Sequence, residues 1–100
     1  MPFMKIIPPQ HHKEMEDWTV NQDGYLNKTF KLGTYRKNSL FVSEVAKISE
    51  LKNHHPKIIF DYNFVSIFLI SHDKGIVTDR DENLSALIDE IYFSILKDDK

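Results

Sequence analysis

Asn53-His54-His55-Pro56-Lys57, then Ile58-Ile59-Phe60-Asp61-Tyr62-Asn63-Phe64-Val65-Ser66-Ile67-Phe68-Leu69-Ile70, closing on Ser71-His72, is the stretch that decides the fold. Proline pushes the residue before it out of the α region, so a helix arriving from upstream must stop before His55-Pro56. The run that follows is aromatic and β-branched, which suits strands, and a turn near Tyr62-Asn63 divides it into two. Residues 64–70 are apolar on both alternation phases except at Ser66. That pattern fits an interior strand covered on both sides, or one in a subunit contact. If the two strands fold back as a hairpin, the beginning and end of the stretch reach one sheet edge and three imidazoles converge. Imidazole is the side chain whose unperturbed pKa lies nearest neutrality, so such a cluster suggests proton transfer.

Upstream, Leu40, Phe41, Val45, Ile48 and Leu51 recur at three- and four-residue intervals, predicting an amphipathic helix over Tyr35–Lys52 with Thr34 as its N-cap. Before it, residues 18–20 and 25–32 read as strands joined through Asn21-Gln22-Asp23-Gly24, where Asp-Gly supplies the positive φ of a tight hairpin. Residues 9–17 suit a short helix opened by the Pro8-Pro9 pair, with His11 and His12 as solvated surface. Residues 1–8 read as an irregular arm. Downstream, Asp73-Lys74-Gly75 is a turn, and Thr78-Asp79-Arg80-Asp81 resembles a capping box with Asp in place of Glu. Leu84, Leu87, Ile88, Ile91 and Ile95 then mark one face of a last helix. The expected order is α-β-β-α-β-β-α. Paired hairpins make the sheet antiparallel and four-stranded, with helices packed on one face, an α+β fold.

The chain of 100 residues, 41% hydrophobic and 28% charged, is sized for one domain spanning 1–100 with an adequate core. A formal net charge of -2 argues against a nucleic-acid binder held mainly by electrostatics. The lack of cysteine excludes disulfides and thiolate metal sites and points to a reducing compartment. The longest apolar run is far below the ~20 residues that span a bilayer. The proline-broken start is too short for a secretory signal and carries no arginine, so the expected location is the cytoplasm.

Three readings of His54, His55 and His72 compete on chemistry alone. A metal site requires convergent ligands, yet two of these are adjacent and the third lies on another element. A structural reading makes His54 and His55 a helix exit favoured by the macrodipole and His72 a strand end. Acid–base catalysis is the third. Glu50, one helical turn before His54, could orient that ring, and Asp81 could do the same for His72 or simply cap its helix. Spacing leaves all three open.

The combination Asn53-His54-His55-Pro56, Tyr62-Asn63-x-Val65, Ser71-His72-Asp73 and Gly75-x-x-Thr78 with Asp81 resembles the pterin-4a-carbinolamine dehydratase family. Trp18, Leu26-x-x-x-Phe30 and Val45-Ala46-x-x-x-Glu50 match the family's first half, so the resemblance runs from about Trp18 to Ile91. It implies dehydration of 4a-hydroxytetrahydropterin to the quinonoid dihydropterin, in tetrahydrobiopterin recycling, with no metal and no organic cofactor. His54 and His72 would be the acid–base residues, and His55 would chiefly hold the pterin. Glu50, Asn53, Pro56, Ser71 and Asp81 would bind substrate or orient the histidines. The resemblance also implies a homodimer or homotetramer built by extending the sheet and packing helices. Some animal members bind a homeodomain transcription factor; nothing in these residues points to that role, to direct nucleic-acid contact or to a membrane. The alternative function is a non-enzymatic pterin-binding, dimerisation or coactivator module on the same fold. Three positions depart from the family pattern. Ile58 replaces a tryptophan that some members carry beside the pterin, Asn53 replaces the aspartate of animal members, and Lys74-Gly75 stands where two glycines are frequent.

Overall fold

Two hairpins and two helices account for residues 17–97, the part that the computed structural model describes. They run β1 (Thr19–Val20), β2 (Leu26–Phe30), α1 (Tyr35–Lys52), β3 (Lys57–Phe60), β4 (Val65–Leu69) and α2 (Asp79–Lys97). The helix expected over residues 9–17, with His11 and His12, lies outside the described residues save for Asp17, which is not helical. Within them the expected α+β order is found.

Asn21 shapes the first reversal: its Oδ1 accepts from the backbone N–H of Asp23 (2.9 Å) and Tyr25 (3.0 Å), and Gly24 takes φ +89°. This is the Asx geometry that a short polar side chain offers a turn. The strands then assemble in the order β1-β2-β4-β3, antiparallel throughout. β4 is thus interior, as its two-sided apolar pattern requires. Register sets the faces, because residues paired across strands point the same way. Leu26, Lys28 and Phe30 of β2 pair with Leu69, Ile67 and Val65 of β4, and Ile58 of β3 pairs with Ile67. That face meets Phe41 and Val45 of α1 and Leu84 and Ile88 of α2 in one buried cluster. The other face carries Asn27, Thr29, Ser66, Phe68, Lys57 and Ile59.

The buried stripe of α1 differs from the one its apolar residues suggest. Its buried members are Asn38, Phe41, Val45 and Ser49, whereas Leu40 is exposed and Leu51 is 80% exposed. Asn38 is buried because it bridges two backbone segments, accepting from Leu32 N–H (3.1 Å) and donating to the Tyr62 carbonyl (3.1 Å). Ser49 donates to the Val45 carbonyl at 2.7 Å. Polar side chains satisfied in this way cost little to bury, so hydropathy alone misassigns the stripe. Thr34 caps the start as expected, accepting from Lys37 N–H at 3.0 Å. At the other end Asn53 enters the left-handed region (φ 53°, ψ 43°). Its N–H reaches Glu50 O (3.1 Å), and His54 N–H reaches Ser49 O (3.0 Å). This is the closing pattern in which a left-handed residue satisfies the last carbonyls. Asparagine, rather than the proline three residues on, ends the helix. No helix among the described residues is long and apolar enough to cross a membrane.

Candidate functional site

The chain reversal at Asn53 throws His54 off the line of α1 and back toward the start of α2. There its Nε2–H donates to Asp81 Oδ1 at 2.6 Å. Asp81 is fully buried and the His54 side chain is 10% exposed. The second carboxylate oxygen accepts from the Thr78 backbone N–H (2.8 Å) and from the Ser71 hydroxyl (2.8 Å). With Ser71's single proton committed to Asp81, Thr78 must donate to Ser71 Oγ across their 2.6 Å contact. Thr78 Oγ1 in turn accepts from Arg80 N–H at 3.3 Å. Asp81 therefore caps α2 and holds a histidine at once, one oxygen for each job. Four side chains from three segments form a closed network, and the described residues contain no buried side-chain polar atom without a partner. Such a network fixes both the tautomer and the ring plane of His54. It leaves Nδ1 without a hydrogen-bond partner among the described residues.

Two pairings differ from the sequence expectation. Glu50 orients His55, not His54, through a 2.9 Å contact between Oε1 and Nε2. Asp81 orients His54, not His72. Both follow from Asn53: once it turns left-handed, the residue one helical turn after Glu50 no longer stands over it, and His55 swings back instead. The Glu50–His55 pair is exposed, with side chains 81% and 59% accessible, and holds far less rigidly than the buried dyad.

His72 lies in an exposed turn over residues 72–75, set on a Ser71–Ile76 bridge and closed by Lys74 N–H (2.9 Å) and Gly75 N–H (2.8 Å) to Ser71 O. Its ring has no protein partner among the described residues. Its chain neighbour Ser71 leads to the dyad, with Oγ on the carboxylate that holds His54. Asn53 contributes backbone geometry and an exposed side chain, and Pro56 is half-buried between His55 and the first residue of β3. The structure thus gathers His54, Ser71 and Asp81 directly and pairs His55 with Glu50 outside them, while His72 is tied to this group only as the chain neighbour of Ser71 among the described residues.

A small pocket of about 160 Å³ opens against His54, lined also by Lys52, Arg80, Asn83, Leu84 and Leu87. A larger groove of about 600 Å³ runs between α1 and α2 over Leu40, Ile48, Leu87 and Ile91. Its lining contains no histidine, whereas the smaller pocket borders His54. No group of three or more His, Cys, Asp or Glu among the described residues is placed to hold a metal ion.

Thr78 and the Arg80–Asp73 pair were not singled out as site residues from the sequence. Arg80 carried a readable signal nonetheless. A cation in the first turn of a helix opposes the macrodipole and calls for a local carboxylate. Asp73 is that carboxylate, with both oxygens on Arg80 Nη2 (2.7 and 3.0 Å).

Comparison with known proteins bears on the family and the fold. Residues 7–91 match the family described as "Pterin 4 alpha carbinolamine dehydratase". A protein of Chloroflexus aggregans, provisionally named pterin-4-alpha-carbinolamine dehydratase, is 38% identical over 82 residues, covering 82% of this chain and 87% of its own. One of Herpetosiphon aurantiacus with the same provisional name is 39% identical over 93 residues, covering 92% and 96%. Among solved structures, a transcriptional coactivator/pterin dehydratase from Brucella melitensis superposes with a TM-score of 0.71 at 25% identity, covering 75% of this chain and 81% of that one. A pterin dehydratase-like protein identified as a RuBisCO assembly factor in the alpha-carboxysome gives 0.67 at 25% identity, covering 82% and 96%.

Proposed function

The chain belongs to the pterin-4a-carbinolamine dehydratase family, and we propose that it removes water from 4a-hydroxytetrahydropterin by histidine acid–base catalysis. The observation that carries this reading is the buried Asp81–His54 dyad, in which the second ring nitrogen has no partner among the described residues. In the step proposed, the carbon–oxygen bond at C4a breaks as the hydroxyl takes a proton and leaves as water. The proton on N5 passes to the protein, and its bonding pair forms the C4a=N5 double bond of the quinonoid dihydropterin. His54 Nδ1 is the base for N5–H, with Asp81 holding the Nε2–H tautomer. His72 is the acid for the leaving hydroxyl, and its exposure lets it recover a proton from solvent. Each transfer is of the kind worth ~10²–10⁴-fold. His55, steadied by Glu50, holds the pterin together with Asn53, Pro56 and Ser71. No metal and no organic cofactor enters the step, which is redox-neutral.

The same proposal places the protein in the cytoplasm as a homodimer or homotetramer. β3 is an edge strand with Ile59 and Phe60 exposed, an arrangement that pairing with a second sheet would cover. The test is dehydration of freshly generated 4a-hydroxytetrahydropterin, followed by absorbance against the uncatalysed background. His54→Ala and His72→Ala should each lower kcat in folded protein. Equal thermal destabilisation of both, without an effect on rate, would return the histidines to structural roles.

A second reading, a non-enzymatic assembly or coactivator module, draws support from the RuBisCO assembly factor and the coactivator among the structural neighbours. The dyad supports the first reading, because a scaffold has no need of an oriented buried imidazole.

A further inference from the structure

His72 is flanked by two residues that are both tied to α2, and the two ties fall on consecutive residues of its first turn. Ser71, on one side, is buried and bonded to Asp81. Asp73, on the other, is bound through both carboxylate oxygens by Arg80 Nη2 at 2.7 and 3.0 Å. Between these anchors the turn has only the backbone bonds of residues 74 and 75 to Ser71, and Gly75 at φ +72° lets it close.

Stability gives little reason for the outer tie. The Arg80 and Asp73 side chains are 49% and 61% exposed, and solvent screens a pair so open that it adds little to stability. Arg80 also sits where the helix dipole disfavours a cation. Its guanidinium holds the Asp73 carboxyl below the ordinary carboxylate value, so the pair persists as an ion pair through neutral pH. Arg80 lines the pocket against His54 as well. The first turn of α2 thus fixes both histidine-bearing segments, Asp81 holding His54 and Arg80 holding the far side of His72.

Resting on the dehydratase reading above, we propose that the Asp73–Arg80 ion pair is a positioning pair that sets the His72 turn against the His54 dyad. Neither residue touches the reacting atoms in this account. The pair aims His72, and displacing a positioned group by about 1 Å can cost up to ~10²-fold in rate.

The experiment uses full-length Asp73→Asn, Arg80→Gln and the charge-swapped Asp73→Arg/Arg80→Asp protein, with 4a-hydroxytetrahydropterin as substrate. Both single variants should lose ~10-fold or more in kcat while KM stays within about twofold and the melting temperature barely moves. The swapped protein should recover part of the loss. Raising ionic strength to ~1 M, where the screening length is ~3 Å, should slow the wild type but not Asp73→Asn. A second readout is independent of turnover: the His72 imidazole resonances should broaden or shift toward random-coil positions in both single variants while those of His54 stay put. Unchanged kcat together with unchanged His72 resonances would overturn the proposal. So would a loss of rate matched by unfolding. A wild type without dehydratase activity would sink the functional reading, and the resonances would then decide the positioning claim alone.

Discussion

Replacing Asp81 by Asn should separate the structural and chemical duties of one buried side chain. The orientation of the new amide is forced. Oδ2 accepts from the Thr78 backbone N–H, which can only donate, so the amide oxygen must stay there and the NH2 group must face His54. Neutral His54 then has to accept at Nε2, its proton moves to Nδ1, and the nitrogen proposed to take the N5 proton becomes a donor. The same tautomer logic governs carboxylate-to-amide changes in hydrolase triads. Loss of one correctly poised base predicts a fall in kcat of ~10²–10³-fold, which is ~2.7–4.1 kcal/mol at 1.36 kcal/mol per decade. Stability should change less. Three charge-assisted bonds become neutral ones, but a buried carboxylate no longer has to be desolvated, so the net cost should be ~1–3 kcal/mol. A domain with ~5–15 kcal/mol to spare stays folded. Asp81→Ala, which orphans the Thr78 N–H altogether, should cost ~3–5 kcal/mol and fail to isolate the chemistry. Stopped-flow absorbance on 4a-hydroxytetrahydropterin with parallel urea melts measures both effects. An Asp81→Asn protein that is folded and within threefold of wild-type kcat would refute the tautomer argument.

His55→Ala should raise KM several-fold and spare kcat, measured by initial rates over a range of pterin concentration; a selective loss of kcat would instead place His55 among the proton-transfer groups. Lys28 is buried with its Nζ 2.9 Å from Asp89 Oδ1 and over the rings of Phe30 and Trp18, so Lys28→Ala should cost ~2–4 kcal/mol by denaturant melt. Lys28→Met, similar in shape, should cost less, because Asp89 is partly exposed and keeps the Trp18 Nε1–H bond at 3.0 Å. Ile67→Ala, at a fully buried position of the central strand, should lower stability by ~2–5 kcal/mol while leaving the dyad intact, read as a shift in urea midpoint. Asp73 has a folded-state pKa below its ordinary value of 3.8, so its small contribution is full above that value and vanishes as pH falls through the lowered one. The urea midpoints of wild type and Asp73→Asn should therefore converge on acidification below about pH 4; divergence would contradict the assigned sign.

Periodicity and turn chemistry made most of this fold legible. The Asp-Gly reversal, the Tyr35–Lys52 helix with its Thr34 cap and the two-sided apolar pattern of residues 64–70 each depend on local physics, and each stands where expected. The pairing of carboxylates with histidines was not legible. Glu50 and His54 are neighbours on a helical wheel, yet one asparagine in the left-handed region redirects them, and a residue's φ leaves little trace in hydropathy. Asp81 posed a different difficulty. Capping and histidine-orienting looked like rival roles, whereas a carboxylate has two oxygens and performs both. Asn38 and Ser49 escaped notice because a satisfied polar side chain in a core is invisible to an apolar pattern. The resemblance that the triple-histidine signature carried agrees with the family found by comparison.

The most direct test of the central claim is the rate of 4a-hydroxytetrahydropterin dehydration by purified, EDTA-treated protein. The account predicts acceleration over the uncatalysed background that survives the chelator and disappears in a folded His54→Ala/His72→Ala double variant. A folded protein that binds a pterin without accelerating its dehydration would contradict it, as would activity that persists in the double variant.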